Sequence, residues 1–157
     1  MDIRSTAQNK RYHTMSIDVE RILLELEILP SYDDQLSLQV DENGKGAEGQ
    51  LTRLKGKESD YHILSYNIPY TNSVIESLGM FRSRVMKMKP KTCYSYHIDA
   101  TKRIHIPLIT NENCFFVIED EIVRLPANGN SYVIDTTKKH TFVNASFEER
   151  IHLVGCI

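Results

Sequence analysis

The sequence has little of what would commit it to a membrane, to nucleic acid or to an oxidising compartment. No apolar run in its 157 residues approaches the roughly 18 needed for a membrane-spanning helix. The opening stretch from Met1 to Arg11 carries no apolar core of the secretory type. A soluble, unprocessed protein with no membrane partner is the expectation. Basic excess is missing too: 19 Lys and Arg stand against 21 Asp and Glu, for a formal net charge of -2. That removes the global electrostatic ground for expecting nucleic acid as a partner. Cysteine is scarce and odd in number, and Cys93, Cys114 and Cys156 sit in scattered apolar settings. Reduced, buried thiols in the cytoplasm suit that pattern better than a disulfide framework. No internal repeat or low-complexity tract appears, and the length suits one domain, 1–157, with a real core.

What is present divides near residue 80. Residues 1 to 15 are polar and expected to fray. Ser16 is placed to cap a helix through Ile17, Val19, Ile22, Leu23, Leu26 and Glu27, which Pro30 stops. Leu36, Leu38 and Val40 alternate with polar residues as in a half-buried strand. From Asp41 to Asp60 repeated Gly pairs, with only Leu51 and Leu54 as apolar interruptions, predict a mobile surface loop, either at the rim of a site or a plain exposed hairpin excursion. Tyr61 to Tyr66 reads as a strand broken by Pro69, and Asn72 or Ser73 as the cap of a short helix, Val74 to Leu78, closed by Gly79. Beyond Phe81 the pattern is short strands and turns: 84–88, 93–98, 103–109, 115–118, 121–125, 131–134, 140–144 and 150–156. The expected fold is mainly β with N-terminal helices. Residues 81–157 form a jelly-roll or cupin-like core with a site in its mouth.

The chemistry concentrates in Tyr94-Ser-Tyr-His-Ile-Asp99. In an extended strand residues i and i+2 share a face, so His97 and Asp99 converge, and His140 is the candidate third ligand. Two histidines and a carboxylate form the facial triad that leaves positions open on Fe(II). Arg150 follows His140 by ten residues, where a returning antiparallel strand can bring it to the same cavity as a clamp for a carboxylate. Arg103 and His105 share a face opposite Ile104 and Ile106, which suggests a polar cavity inside a β shell.

Taken in order, Arg82-Ser-Arg-Val-Met-Lys-Met-Lys-Pro90, Tyr94-Ser-Tyr-His-Ile-Asp99, Arg103-Ile-His-Ile-Pro-Leu108, His140, Asn144 and Arg150-Ile-His-Leu-Val154 resemble the aspartyl/asparaginyl β-hydroxylase family, which includes free-proline hydroxylases. The resemblance covers roughly residues 80 to 157. It implies a double-stranded β-helix, Fe(II) held by His97, Asp99 and His140, and 2-oxoglutarate and O2 as cosubstrates. It further implies that Arg150 holds the far carboxylate of 2-oxoglutarate, with Arg103 and His105 near its other end. The substrate would be an amino acid, free or in a peptide or protein. The enzyme that names the family has glycine where Asp99 stands, so this chain looks closer to branches with a complete triad, and the spacing from His97 to Arg103 is shorter here. A reading from another class is a non-catalytic cupin-like domain that binds or senses a small acid.

Overall fold

The computed structural model describes residues 16–49 and 56–157; the expected frayed terminus, Leu51 and Leu54 lie outside them. Helix α1 is Val19–Leu26, and its cap is Asp18 rather than Ser16: the Asp18 carboxylate accepts from Arg21 N at 3.0 Å. Ile17 is instead held outside the helix, its N–H donating to Gly129 O at 2.8 Å. Helix α2 is Pro69–Ser77, so it begins at Pro69, expected only to break the preceding strand, and not after a cap at Asn72 or Ser73. The proline's missing N–H falls at the first turn, where no intrahelical acceptor exists, and its fixed φ suits the helix. Gly79, at φ 60°, closes α2 as expected.

The described residues form eleven strands, numbered in chain order. They are β1 Gln35–Ser37, β2 Gln39–Val40, β3 Ile63–Leu64, β4 Phe81–Met88, β5 Thr92–Cys93, β6 Arg103–Ile109, β7 Cys114–Ile118, β8 Glu121–Val123, β9 Tyr132–Ile134, β10 His140–Asn144 and β11 Arg150–Cys156. All pairings are antiparallel. One sheet has the order β1-β4-β11-β6-β9, a second β5-β10-β7-β8, and β2 and β3 pair by themselves. The fold is thus mainly β with two helices. The alternating segment 36–40 is divided between β1 and β2 because Gln39 turns inward. Its amide donates to Met80 O at 3.0 Å and accepts from Ser83 N at 3.0 Å, so the polar side chain is buried without an unmet bond.

Two clusters make the core. Helices α1 and α2 lay Ile22, Val74 and Ile75 on Val85, Ile104 and Leu153 of the larger sheet. On that sheet's other face Met88, Tyr132 and Ile134 meet Phe116 and Phe142 of the smaller sheet, so the two sheets face each other. Pro107 is tolerated in β6 because β9 pairs only with 103–105 and because the ladder to β11 shifts register where Pro107 meets His152. No described helix is long and apolar enough to cross a membrane.

Asn144, fully buried, stitches the end of β10 to the end of β4 and to the turn before β11. Its amide nitrogen lies 3.1 Å from Met88 O, 3.2 Å from Lys89 O and 2.9 Å from Glu148 O, and its oxygen accepts from Ser146 N and Oγ. Asn144→Ala strands several buried groups, each worth about 1 kcal/mol or more. We expect it to lower the urea unfolding free energy by about 2–4 kcal/mol; a loss under 0.5 kcal/mol would show that water replaces these bonds freely.

Candidate active site

A cavity of about 520 Å³ opens between the two sheets and receives every candidate from the sequence: His97, Asp99, Arg103, His105, His140 and Arg150 all line it. The segment from 94 to 98 is not the continuous strand expected. Regular pairing ends at Cys93, Tyr94 N donates to Phe142 O, and an isolated bridge then joins His97 and His140, each backbone N–H donating to the other's carbonyl at 2.9 Å. The two imidazoles therefore stand side by side, ring centroids 4.5 Å apart. Asp99 is brought in by its N–H bond to Thr136 O.

The side-chain geometry is that of a three-pronged metal site. Nitrogen and oxygen atoms of His97, Asp99 and His140 lie within 4.8 Å of one another. His97 Nε2 is 3.8 Å from Asp99 Oδ1, and His140 Nε2 is 3.6 Å from Asp99 Oδ2. His97 Nδ1 lies 2.6 Å from Ser95 O and His140 Nδ1 2.9 Å from Lys138 O. A carbonyl can only accept, so each Nδ1 carries a proton, and in the neutral ring Nε2 keeps the lone pair that a metal needs. Burial pushes the His140 pKa down, which favours the neutral ring that a metal requires. Arg103 Nη2 sits 3.1 Å from Asp99 Oδ1, leaving Oδ2 as the freer oxygen.

Opposite this group lies Arg150. The sequence leaves open a surface pair with Glu148 or Glu149, but Arg150 is 2% exposed and pairs with neither. Its guanidinium stacks on Phe142 at 3.9 Å, reaches Met86 O only at 3.5 Å, and leaves Nε without an acceptor. Burial lowers its pKa to about 10. His105 is also buried; desolvation first, and then the charge of Arg150, hold its pKa well below the usual imidazole value, so it is neutral.

Two residues escape the sequence reading. Glu58, in the stretch expected to be a mobile loop, is 4% exposed and bonds to Arg82 at 2.7 Å and Arg103 at 2.6 Å. Arg103 is thereby engaged by Glu58, Asp99 and Thr101 rather than free in the cavity. The described part of the loop is tied in likewise: Ala47 N donates to Ser37 Oγ, and Arg82 donates to Ala47 O and Gly49 O. Arg84 is the second. Among the thiols, Cys114 and Cys156 are buried as expected, but Cys93 is exposed because β5 is a short edge strand.

The chain superposes with a TM-score of 0.59 on an oxidoreductase of the 2OG-Fe(II) oxygenase family from Burkholderia pseudomallei, at 19% identity over 87% of this chain and 75% of that one. Residues 16–156 match the aspartyl/asparaginyl beta-hydroxylase family, and the chain belongs to that family. It is therefore an oxidoreductase of the hydroxylase class. No curated protein matches the sequence.

Proposed function

We propose that the protein is an Fe(II)- and 2-oxoglutarate-dependent dioxygenase, a single double-stranded β-helix domain that hydroxylates an amino acid, free or within a peptide or protein. One observation carries this reading: the His97–Asp99–His140 cluster faces a buried, carboxylate-free Arg150 across one cavity. The donors fit a divalent iron. Each Nδ1 donates to a carbonyl, so in the neutral ring that a metal binds each Nε2 offers its lone pair, and one carboxylate completes the three. His97, Asp99 and His140 hold the metal; Arg103 steadies Asp99 through Oδ1; Arg150 takes the far carboxylate of 2-oxoglutarate; neutral His105 lines the wall near its keto end. With 2-oxoglutarate and O2, Fe(II) supplies oxidative decarboxylation to succinate and CO2, coupled to placing one oxygen atom in a substrate C–H bond. Phe142 lies under the buried Arg150 guanidinium and meets Phe116 edge-on, so the charge acts at low dielectric.

The test is succinate formation from 2-oxoglutarate with Fe(II) and a reductant, followed by mass spectrometry for a gain of one oxygen across free amino acids and peptides. His97→Ala should reduce iron stoichiometry from about one to under a tenth, because losing one of three ligands costs well over tenfold in affinity. Unchanged stoichiometry would sink the proposal. Tight iron binding without any succinate would favour the small-acid sensor.

A further inference from the structure

The cavity holds more positive charge than this reaction uses. Four buried arginines line it, Arg82, Arg84, Arg103 and Arg150, against the carboxylates of Glu58 and Asp99. Glu58 serves Arg82 and Arg103, and Asp99 also meets Arg103. Arg150 answers to the far carboxylate of the cosubstrate. Arg84 is left over. It is 4% exposed, its Nη1 donates at 2.9 Å to the neutral amide oxygen of Gln35, and its Nε meets no acceptor. Among the described residues no carboxylate lies within 4.0 Å of it. Glu48, whose side chain is bound to Ser37 N and exposed, and Asp99, already paired with Arg103, act on Arg84 only at longer range.

Its position separates Arg84 from the cosubstrate end. In the β4–β11 ladder Met88 pairs with Arg150 and Arg84 with Val154. Residues 84 and 88 share a face, and four residues of strand span about 13 Å. On one side Val154 connects Arg84 to His105; on the other Ser37 of β1 connects it to the rim formed by Gly49, Gly56 and Glu58. Gln35 Oε1 also accepts from Gly49 N at 3.1 Å, which fixes the guanidinium from the rim side. A buried guanidinium with no counter-ion in contact is unfavourable, and a planar carboxylate that it can meet with two N–H groups relieves it.

We propose that Arg84, oriented by Gln35, anchors a carboxylate borne by the substrate, so that the enzyme takes acidic substrates: a free amino acid through its α-carboxylate, or a residue with an acidic side chain. This rests on the oxygenase reading above and names the substrate class for the same cavity. Mn(II)-loaded protein with 2-oxoglutarate is titrated with L-aspartate, L-proline and the capped peptide acetyl-Gly-Asp-Gly-amide, each beside its carboxamide counterpart, and binding is followed by the shift in Tm. At least one carboxylate probe should bind and its carboxamide should bind tenfold or more weakly. Arg84→Met should lose at least tenfold in affinity for that probe while the Kd of 2-oxoglutarate stays within twofold, and Arg84→Lys should retain part of the affinity. Binding of free amino acids alone identifies the α-carboxylate as the source; binding of the peptide identifies the side chain. Overturning results are equal binding of acid and amide, no carboxylate probe binding at all, unchanged probe affinity in Arg84→Met, or a loss of 2-oxoglutarate affinity as large as that in Arg150→Met. Absence of succinate formation with intact probe binding would defeat the oxygenase reading and leave the acidic subsite standing. If Arg84→Met does not fold, Arg84→Gln and Arg84→Lys carry the same comparison.

Discussion

Arg150→Met is expected to raise the KM for 2-oxoglutarate by about 30- to 1,000-fold while leaving iron stoichiometry unchanged and making the ligand-free protein more stable. The three effects have one cause. The guanidinium is buried with no carboxylate partner, an unmet Nε and a pKa lowered to about 10 by desolvation. Its charge is therefore a burden on the empty fold and becomes favourable when an anion arrives. Removing a buried, hydrogen-bonded charge from a ligand contact costs about 2–4 kcal/mol, and each 1.36 kcal/mol is a tenfold change. Methionine keeps the contact with Phe142 without the desolvated charge, so the ligand-free protein should gain about 1–3 kcal/mol, as apolar replacements of buried ions do. The check is urea unfolding with and without 2-oxoglutarate. Wild type should be stabilised strongly by the cosubstrate and the variant barely, since only binding to the native state adds stability. A variant less stable than wild type without ligand, yet normal in KM, would make Arg150 a structural residue.

Much of the second half of the chain is legible because its strands obey short-range rules. Arg103–Ile109, His140–Asn144 and Arg150–Cys156 end where the turn residues place their ends. His97, Asp99 and His140 stand out by residue type and by two-residue spacing, although the chain brings them together through a bridge and not through a strand. The less legible features are non-local. Glu58 sits among Gly, Lys and Asp in a stretch indistinguishable from solvated loop, and its meaning comes from arginines 24 and 45 residues away. Arg82 takes a left-handed backbone, φ 50°, where the β4–β11 register slips, which no local pattern announces. Arg84 stands between Ser83 and Val85 in a strand that also carries Arg82 and Lys87, so its residue type and spacing do not mark it as the buried, cavity-lining cation that the fold makes of it.

Glu58 also yields the largest expected loss of stability. Its Oε1 accepts from Arg82 at 2.7 Å and Arg103 at 2.6 Å, while Oε2 accepts from Arg103 at 3.0 Å and Thr101 at 2.5 Å. Burial alone would raise its pKa; the bonds from Arg103 and Thr101 and the two guanidinium charges overcome this and bring it down to about 2. Glu58→Gln keeps the shape and removes the charge, so two neighbouring guanidiniums remain buried around a neutral amide. Breaking such a group by removing one partner costs about 3–5 kcal/mol, and we expect that loss in urea unfolding at pH 7. The pH dependence carries the second half of the prediction. The folded pKa lies below the unfolded value of 4.5, so the native state binds this proton less readily, and the stabilisation is fully present above 4.5 and is lost as pH falls toward about 2. Wild type should therefore show an acid limb in that window that Glu58→Gln lacks, with the two stability curves converging at low pH. Curves that stay parallel down to pH 2 would mean that the carboxylate contributes through shape and hydrogen bonding alone. Freed from Glu58, Arg103 can shift further onto Asp99 and compete for the oxygen that a metal needs, so the same variant should bind iron more weakly even where it remains folded.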